Sequence, residues 1–267
     1  MNGYLAFIIL TWNSEKFIYD CLESINNIEI ESKAIIVIDN GSKDNTVNII
    51  RKFKDICLIE LDKNYGTTFS RNIGLKMASK YSYICIIDSD TIINNNAIEN
   101  LIICLNEGTD HYIAVPRMVN IYHEHQLSYK KFPTVISKLL KAAPISILQI
   151  KGIELEEYHF TFKSDYYYVD YGISACWMLK GSILNKIGYL DEKIFYAPED
   201  VDYCAMVWEK GGKVVLVSNS EIIHATQRIS KKKVFSKINL LHILGLIYYF
   251  QKHKYIFSTK HIRSQIK

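Results

Sequence analysis

Short apolar runs alternate with segments of helical spacing over the first 115 residues of the chain. Stretches 5–11, 33–39, 56–61 and 83–88 are rich in Ile, Val and Leu, have strand length, and end in polar or glycine-containing turns. Between them, the apolar spacing predicts helices over about 14–26, capped by Ser14 with Asn13 beside it, 44–53 and 67–79. Runs apolar on both faces imply strands covered by helices above and below, so the pattern predicts an α/β fold with a mostly parallel, doubly wound sheet. Ligands of such sheets bind beyond the carboxyl ends of the strands. Thr11, Asp39, Asn64 and Asp88 all fall at such ends.

Composition agrees with a folded domain. The chain has 267 residues, 49% of them hydrophobic and only four prolines, enough to bury a core in one domain or two tightly packed lobes. Six cysteines without a C-x-x-C pair fit a reducing compartment, and the N-terminus enters a strand with no secretory n-region before it. Charge is uneven. Residues 222–267 hold ten basic and no acidic residues, so this segment carries +10 and the rest −6 of the net +4. Within it, the apolar run 238–250 is shorter than the roughly 20 residues that span a bilayer. It suits a helix lying on an anionic leaflet, where each basic residue adds about 1 kcal/mol, or a helix packed on the core with a basic fringe. No nucleic-acid-binding module accompanies these charges.

The strand at 83–88 runs into Asp88-Ser89-Asp90. Paired carboxylates there suit a hard divalent cation, Mn²⁺ or Mg²⁺, that keeps positions open for phosphate oxygens. Taken alone, the tripeptide is equally compatible with two solvated loop aspartates. Asp39 can accept the imide N–H of uracil or thymine or a ribose hydroxyl, Asn40 and Gly41 allow close backbone approach, and Arg71 suits phosphate. By itself, 39–44 also reads as a turn and helix cap. Neither the G-x-G-x-x-G fingerprint nor the P-loop motif is present, which argues against nicotinamide enzymes and P-loop NTPases.

In combination, these motifs resemble the family 2 glycosyltransferases of the GT-A fold. The resemblance rests on Leu10-Thr-Trp-Asn13, Val37-Ile-Asp39-Asn-Gly-Ser-Lys-Asp44, Asn64-Tyr-Gly66, Ser70-Arg-Asn-Ile-Gly74, Asp88-Ser-Asp90, Gly172 through Met178, Phe195 through Cys204, and Val214 through His224. It covers about residues 4–226 and is nearest to the rhamnosyltransferase-like branch of bacterial surface-polysaccharide enzymes. It implies a GT-A domain over 1–226, with a nucleotide-sugar half to about 115 and an acceptor half from 116, followed by a basic amphipathic tail over 227–267.

The resemblance also implies roles. Asp39 would read the base, Arg71 would sit near the donor phosphates or sugar, and Asp88 would contact ribose or sugar. Thr11, Asn13, Asn40, Asn64 and Gly66 would complete the donor pocket. Asp90 would hold the cation, with His224 completing the metal or pyrophosphate site. Asp200 would be the general base, with Glu199 or Asp202 as alternatives or acceptor contacts, and Trp177 on the acceptor side. Three acidic residues in four could instead favour the positive end of a helix. The chain has no Q-x-x-R-W motif, so transfer of one sugar per encounter is expected.

The implied activity is metal-dependent, inverting transfer from a UDP- or dTDP-sugar to a lipid-linked glycan, at the cytoplasmic face of the membrane. The alternative is a noncatalytic nucleotide-sugar-binding subunit of a polysaccharide assembly complex. A nucleotidyltransferase would need a Gly-rich basic loop after the first strand, where Thr11-Trp-Asn-Ser-Glu15 stands. Stretch 120–168 is assigned to acceptor recognition. Its His123-Glu-His125 lacks a further metal ligand at suitable spacing, and Tyr166-Tyr-Tyr168 can stack on sugars or form a strand edge.

Overall fold

The computed structural model describes residues 4–225, 237–254 and 259. Its elements in chain order begin β1 (Leu5–Thr11), α1 (Ile18–Asn26), β2 (Lys33–Asp39), α2 (Thr46–Ile50), β3 (Ile56–Glu60), α3 (Thr67–Met77) and β4 (Tyr83–Asp88). Next come β5 (Thr91–Ile92), α4 (Asn95–Glu107), β6 (His111–Val119), β7 (His125–Gln126), β8 (Tyr129–Lys130), α5 (Val135–Ala142) and α6 (Ser146–Glu154). The series closes with β9 (Tyr166–Tyr168), β10 (Tyr171–Gly172), β11 (Cys176–Lys180), α7 (Ile183–Lys186), α8 (Glu199–Glu209), β12 (Lys213–His224) and α9 (Lys237–His253).

The four predicted strands form where expected and lie side by side as β3-β2-β1-β4, all parallel. Beyond β4 the order continues β11-β6-β12-β5. β11 runs antiparallel to both β4 and β6, while β6 and β12 are parallel. Alternation along β1 feeds two cores. Ala6 and Ile8 join one with Leu75, Trp177 and Trp208, whereas Leu5, Phe7 and Ile9 join the other with Leu22, Ile98 and Leu101. Register sets Thr11 opposite Asp39 and Leu10 opposite Asp88, which lines up the carboxyl ends of three neighbouring strands.

Two helices are shorter than their apolar spacing suggests. Asn13 adopts a left-handed backbone, with φ 51°, and the first helix starts only at Ile18. Ser14 is drawn inward instead of capping it: its N–H donates to Thr46 Oγ1 at 2.8 Å and its hydroxyl accepts from Ser89 Oγ at 2.8 Å. The predicted 44–53 helix starts only at Thr46, where Asp44 Oδ1 accepts from the N–H of Thr46 and holds residues 44–46 in a local turn, and it ends at Ile50.

Of the two alternatives for 238–250, packing on the core is realised on one face of α9. Tyr249 is fully buried, and a Cβ at Gly245 would lie 2.3 Å from the Ala197 carbonyl oxygen. Lys252 Nζ donates to Asp191 and Asp202 at 2.9 and 2.8 Å. His253 lies between Asp202 Oδ1 at 2.9 Å and Glu209 Oε1 at 2.6 Å. Among the described residues, no helix is long and apolar enough to cross a membrane. Arg228, Lys231, Lys232, Lys233, Lys260, Arg263, Lys267 and the 226/227 boundary fall outside the described residues.

The His253 contact makes α9 docking pH-dependent. Burial lowers the imidazole pKa, but the hydrogen bonds and charges of Asp202 and Glu209 outweigh it, so His253 is raised above its ordinary 6.5. Its stabilisation is fully present below the unfolded value and is lost as pH rises through the raised folded value. Amide exchange in α9, after correction for intrinsic rates, should therefore accelerate relative to β1 across that window. His253→Gln should remove the difference.

Candidate active site

Asp88 ends β4, and the chain turns through Ser89 and Asp90 into β5. The short β5 pairs with the last residues of β12, Thr91 opposite His224, and Ala225 N–H donates to the Asp90 carbonyl at 2.8 Å. That pairing carries His224 to the aspartates. One ligand atom each from Asp88, Asp90 and His224 lie within 4.8 Å of one another, and His224 Nε2 is 3.4 Å from Asp90 Oδ1.

Gln126 fixes how the imidazole is presented. Its Nε2 donates to the His224 carbonyl at 2.9 Å, so its Oε1 is the atom facing His224 Nδ1 at 3.1 Å. An amide oxygen only accepts, which assigns the proton to Nδ1 and leaves Nε2 of the neutral ring as an acceptor beside a carboxylate oxygen. Two acceptors in that position require a cation between them, a proton or a metal ion. Burial lowers His224, but Asp90 and then Asp88 outweigh it and raise the pKa. Two carboxylates and an oriented imidazole fit a divalent metal.

The neighbouring strand ends form a polar floor. Asp39 Oδ2 accepts from the Ser42 N–H at 2.9 Å, while Asp39 Oδ1 and Thr11 Oγ1 are buried with no partner among the described residues. A buried polar atom left unsatisfied costs about 1–3 kcal/mol, so these two atoms suit the donors of a ligand. The loop around them is preset. Asn13 Oδ1 accepts from the Lys43 N–H at 2.8 Å, and a Cβ at Gly41 would come within 2.6 Å of Lys63 Cα.

Other residues expected in the donor pocket face the protein instead. Asn40 donates to Asn64 Oδ1 and the Gly66 carbonyl and accepts from Tyr65 N–H and Ser70 Oγ, so its amide is committed to the β3–α3 loop. Asn64 also accepts from the Gly66 N–H. Gly66, at φ 90°, has no room for a side chain, since a Cβ would be 2.3 Å from the Phe195 carbonyl oxygen. These residues shape the pocket from behind.

Arg71 differs most from expectation. Its side chain is 2% exposed and does not offer its guanidinium to open space. Nη2 donates to Asp88 Oδ1 at 2.6 Å and to the Ser174 carbonyl; Nη1 donates to Ser174 Oγ at 2.7 Å and Glu199 Oε1 at 3.1 Å. It is a buried strut joining β4 to the start of α8. Burial raises Asp88 despite the Arg71 charge. Burial and then Asp200 raise Glu199, again against Arg71.

The acceptor-side set also separates. Asp202 is 1% exposed and committed to Lys252 and His253, so it does not face an acceptor. Trp177 is fully buried, its ring stacked on Tyr203 of α8 and its Nε1 donating to the Gly172 carbonyl, and it belongs to the core. Glu199 is held by Arg71 and Ser174. Asp200 remains half-buried, its Oδ1 accepting from the Val201 N–H at 2.8 Å. Burial raises its pKa, opposed by that N–H and by the charges of Lys130, Arg71 and Lys138. Tyr166–Tyr168 forms an edge strand against β12, and His123 and His125 stand outside the Asp88, Asp90 and His224 cluster. Gln126 and Ser174 were absent from the sequence-based set; no local motif marks Gln126, whereas Ser174 stands within the Gly172–Met178 stretch that carries the resemblance.

The model of "Glycosyl transferase family 2" matches residues 6–188. Over 96 residues the chain is 36% identical to a poly-beta-1,6-N-acetyl-D-glucosamine synthase of Staphylococcus epidermidis and 35% identical to one of Staphylococcus aureus strain COL. Each match takes in 35% of this chain and spans only 23% of the relative's length. In fold, the chain is similar to GalNAc-T7 solved with UDP, GalNAc and Mn²⁺, at TM-score 0.68 and 15% identity over 99% of this chain and 57% of that one. It is also similar to the mannosyltransferase PcManGT of Pyrobaculum calidifontis with GDP-Man and Mn²⁺, at TM-score 0.62 and 15% identity over 94% and 64%. A third is S. aureus TarS 1-349 with UDP-GlcNAc, at 0.61 and 17% over 98% and 70%. The fold is GT-A, and with more than half of its length matched, this chain belongs to glycosyl transferase family 2.

Proposed function

We propose that the protein is a metal-dependent, inverting, non-processive glycosyltransferase. It moves one sugar from a UDP- or dTDP-sugar to a lipid-linked glycan in surface-polysaccharide synthesis. The observation carrying this reading is the cluster of Asp88, Asp90 and His224 within 4.8 Å, separated by the single strand β1 from Asp39, whose Oδ1 has no partner among the described residues. Names among its relatives, a polysaccharide synthase and sugar transferases solved with UDP-GlcNAc or Mn²⁺, support the same chemistry.

In this reading, Asp39 Oδ1 accepts the imide N–H of the pyrimidine, beside the Thr11 hydroxyl. Asp88, Asp90 and His224 hold Mn²⁺ or Mg²⁺, which when bound supplies Lewis-acid neutralisation of the charge growing on the leaving diphosphate. Asp200 takes the proton from the acceptor hydroxyl as that oxygen bonds to the anomeric carbon from the face opposite the breaking bond to phosphate. The electron pair of the broken bond leaves on the diphosphate. Arg71 and Glu199 position Asp88 and the start of α8. A noncatalytic binding subunit would need the Asp39 floor but not Asp200, whose carboxylate, unlike those of Glu199 and Asp202, has no side-chain hydrogen-bond or ion-pair partner among the described residues, which favours the enzyme.

Stability, turnover, pH dependence, product release and Mn²⁺ affinity each test this. UDP with Mn²⁺ should raise the Tm, and Asp90→Ala should abolish the metal-dependent part of that shift; no shift with any nucleotide would count against the donor site. Asp200→Asn should lower turnover by about 10²–10⁴-fold while leaving donor binding intact. Because the Asp200 pKa is raised above 3.8 and the base is the carboxylate, wild-type kcat/KM should climb with pH through that raised value. Donor binding with neither sugar transfer nor nucleoside diphosphate release would leave the binding subunit. Gln126→Leu, which frees the His224 ring, should weaken Mn²⁺ affinity by about 10–100-fold, read by Mn²⁺ titration.

A further inference from the structure

Three carboxylates around α8 meet on two residues of α9. Asp202 is 1% exposed, and both its oxygens are taken up there: Oδ1 lies 2.9 Å from His253 Nε2, and Oδ2 accepts from Lys252 Nζ at 2.8 Å. Asp191, ahead of α8, shares Lys252 Nζ at 2.9 Å and accepts from the Tyr248 hydroxyl at 2.8 Å. Glu209, the last residue of α8, lies 2.6 Å from His253 Nδ1. The clasp therefore spans α8 from its first turn to its end.

Geometry fixes the charge of His253. A neutral imidazole has one donor and one acceptor nitrogen, and here both nitrogens face carboxylate oxygens, so each carries a proton. Asp202 and Glu209 face the ring from α8, the Tyr249 ring packs on it at 4.9 Å, and Lys252 acts across the shared Asp202, with Asp191 on its other side. Loss of one proton sets a ring lone pair against a carboxylate oxygen in a buried contact, so α9 must part from α8 or admit water. Asp200 stands two residues before Asp202, and successive helical residues turn by about 100°, so the two side chains leave α8 about 200° apart. The clasp thus grips the side of α8 opposite Asp200. A contact without charge adds to it: a Cβ at Gly245 would lie 2.3 Å from the Ala197 carbonyl oxygen and 3.1 Å from Pro198 Cδ, on the residues that lead into α8.

We propose that Lys252 and His253 are positioning residues for Asp200, so that the catalytic unit runs through α9 and turnover falls when His253 loses its proton. This rests on the proposed role of Asp200 as base, and it carries the unit past the boundary at residue 226 that the resemblance implies. His253 is raised above its ordinary 6.5, so the clasp is complete below the unfolded value and is lost as pH rises through the raised folded value. With Asp200 supplying the rising limb, kcat should pass through a maximum and then fall.

The test takes the full chain across that window by two readouts: amide exchange of residues 202–206 relative to β1, corrected for intrinsic rates, and UDP release from UDP-GlcNAc with Mn²⁺. In wild type, α8 exchange should quicken as kcat falls, while donor KM and the UDP and Mn²⁺ shift in Tm stay constant. His253→Gln should lower kcat at the wild-type optimum about tenfold or more and lose the falling limb. Gly245→Ala, which pushes α9 away without touching a charge, should quicken α8 exchange at every pH. Exchange in α8 that ignores pH and both substitutions overturns the proposal, and so does α8 exchange that quickens while kcat keeps its value. A wild type that releases no UDP counts against the enzyme reading instead, and exchange then decides the clasp by itself.

Discussion

The site depends on one buried cation. The Arg71 guanidinium is shielded from water, and its bonds run to the last residue of β4, to the segment before β11 and to the first residue of α8. Removing one partner of such a buried pair costs about 3–5 kcal/mol, because the other charge is left uncompensated in a low-dielectric interior. Asp88 is shared between this strut and the metal-ligand cluster. The position of the candidate metal ligands and that of the start of α8 are therefore mechanically linked. Asp200, one residue beyond Glu199, inherits its place from the same contact.

A second set of constraints reaches the site from the C-terminal helix. α9 touches the Ala197 carbonyl through Gly245 and holds Asp202 and Asp191 through Lys252, so it braces the start of α8 from behind. Gly66 acts similarly from α3, with Thr67 N–H donating to the Phe195 carbonyl at 2.7 Å. Segment 190–198, which feeds α8, is thus gripped on two sides. Rigid support of this kind fixes where Asp200 stands, the geometric condition that its proposed role as base requires.

The parts of the site made by neighbouring strand ends were legible in the sequence. Asp39, Thr11 and Asp88 terminate runs so apolar that only a covered parallel sheet accommodates them, and ligand sites follow the carboxyl edge of such sheets. Asp90 follows by its spacing from Asp88. The acidic run at 199–202 misled for a geometric reason. Successive helical residues point about 100° apart, so Glu199, Asp200 and Asp202 cannot all face one acceptor. Arg71 misled because a side chain suited to phosphate is equally suited to two carboxylates.

The sequence by itself determined the family, the strand ladder, the paired aspartates and the polar strand ends at Thr11 and Asp39, because each is encoded in local runs whose period and termini are fixed by backbone geometry. Tertiary structure alone decided which polar residues face the pocket. Gln126 and His224 are 98 residues apart and meet only because β7 and β12 both pair with β6. Asp202 turned inward because α9 brought a lysine and a histidine to it, and Trp177 because β11 is covered on both faces. Charge partners and burial are properties of the packed elements, and no single segment carries the information that selects them.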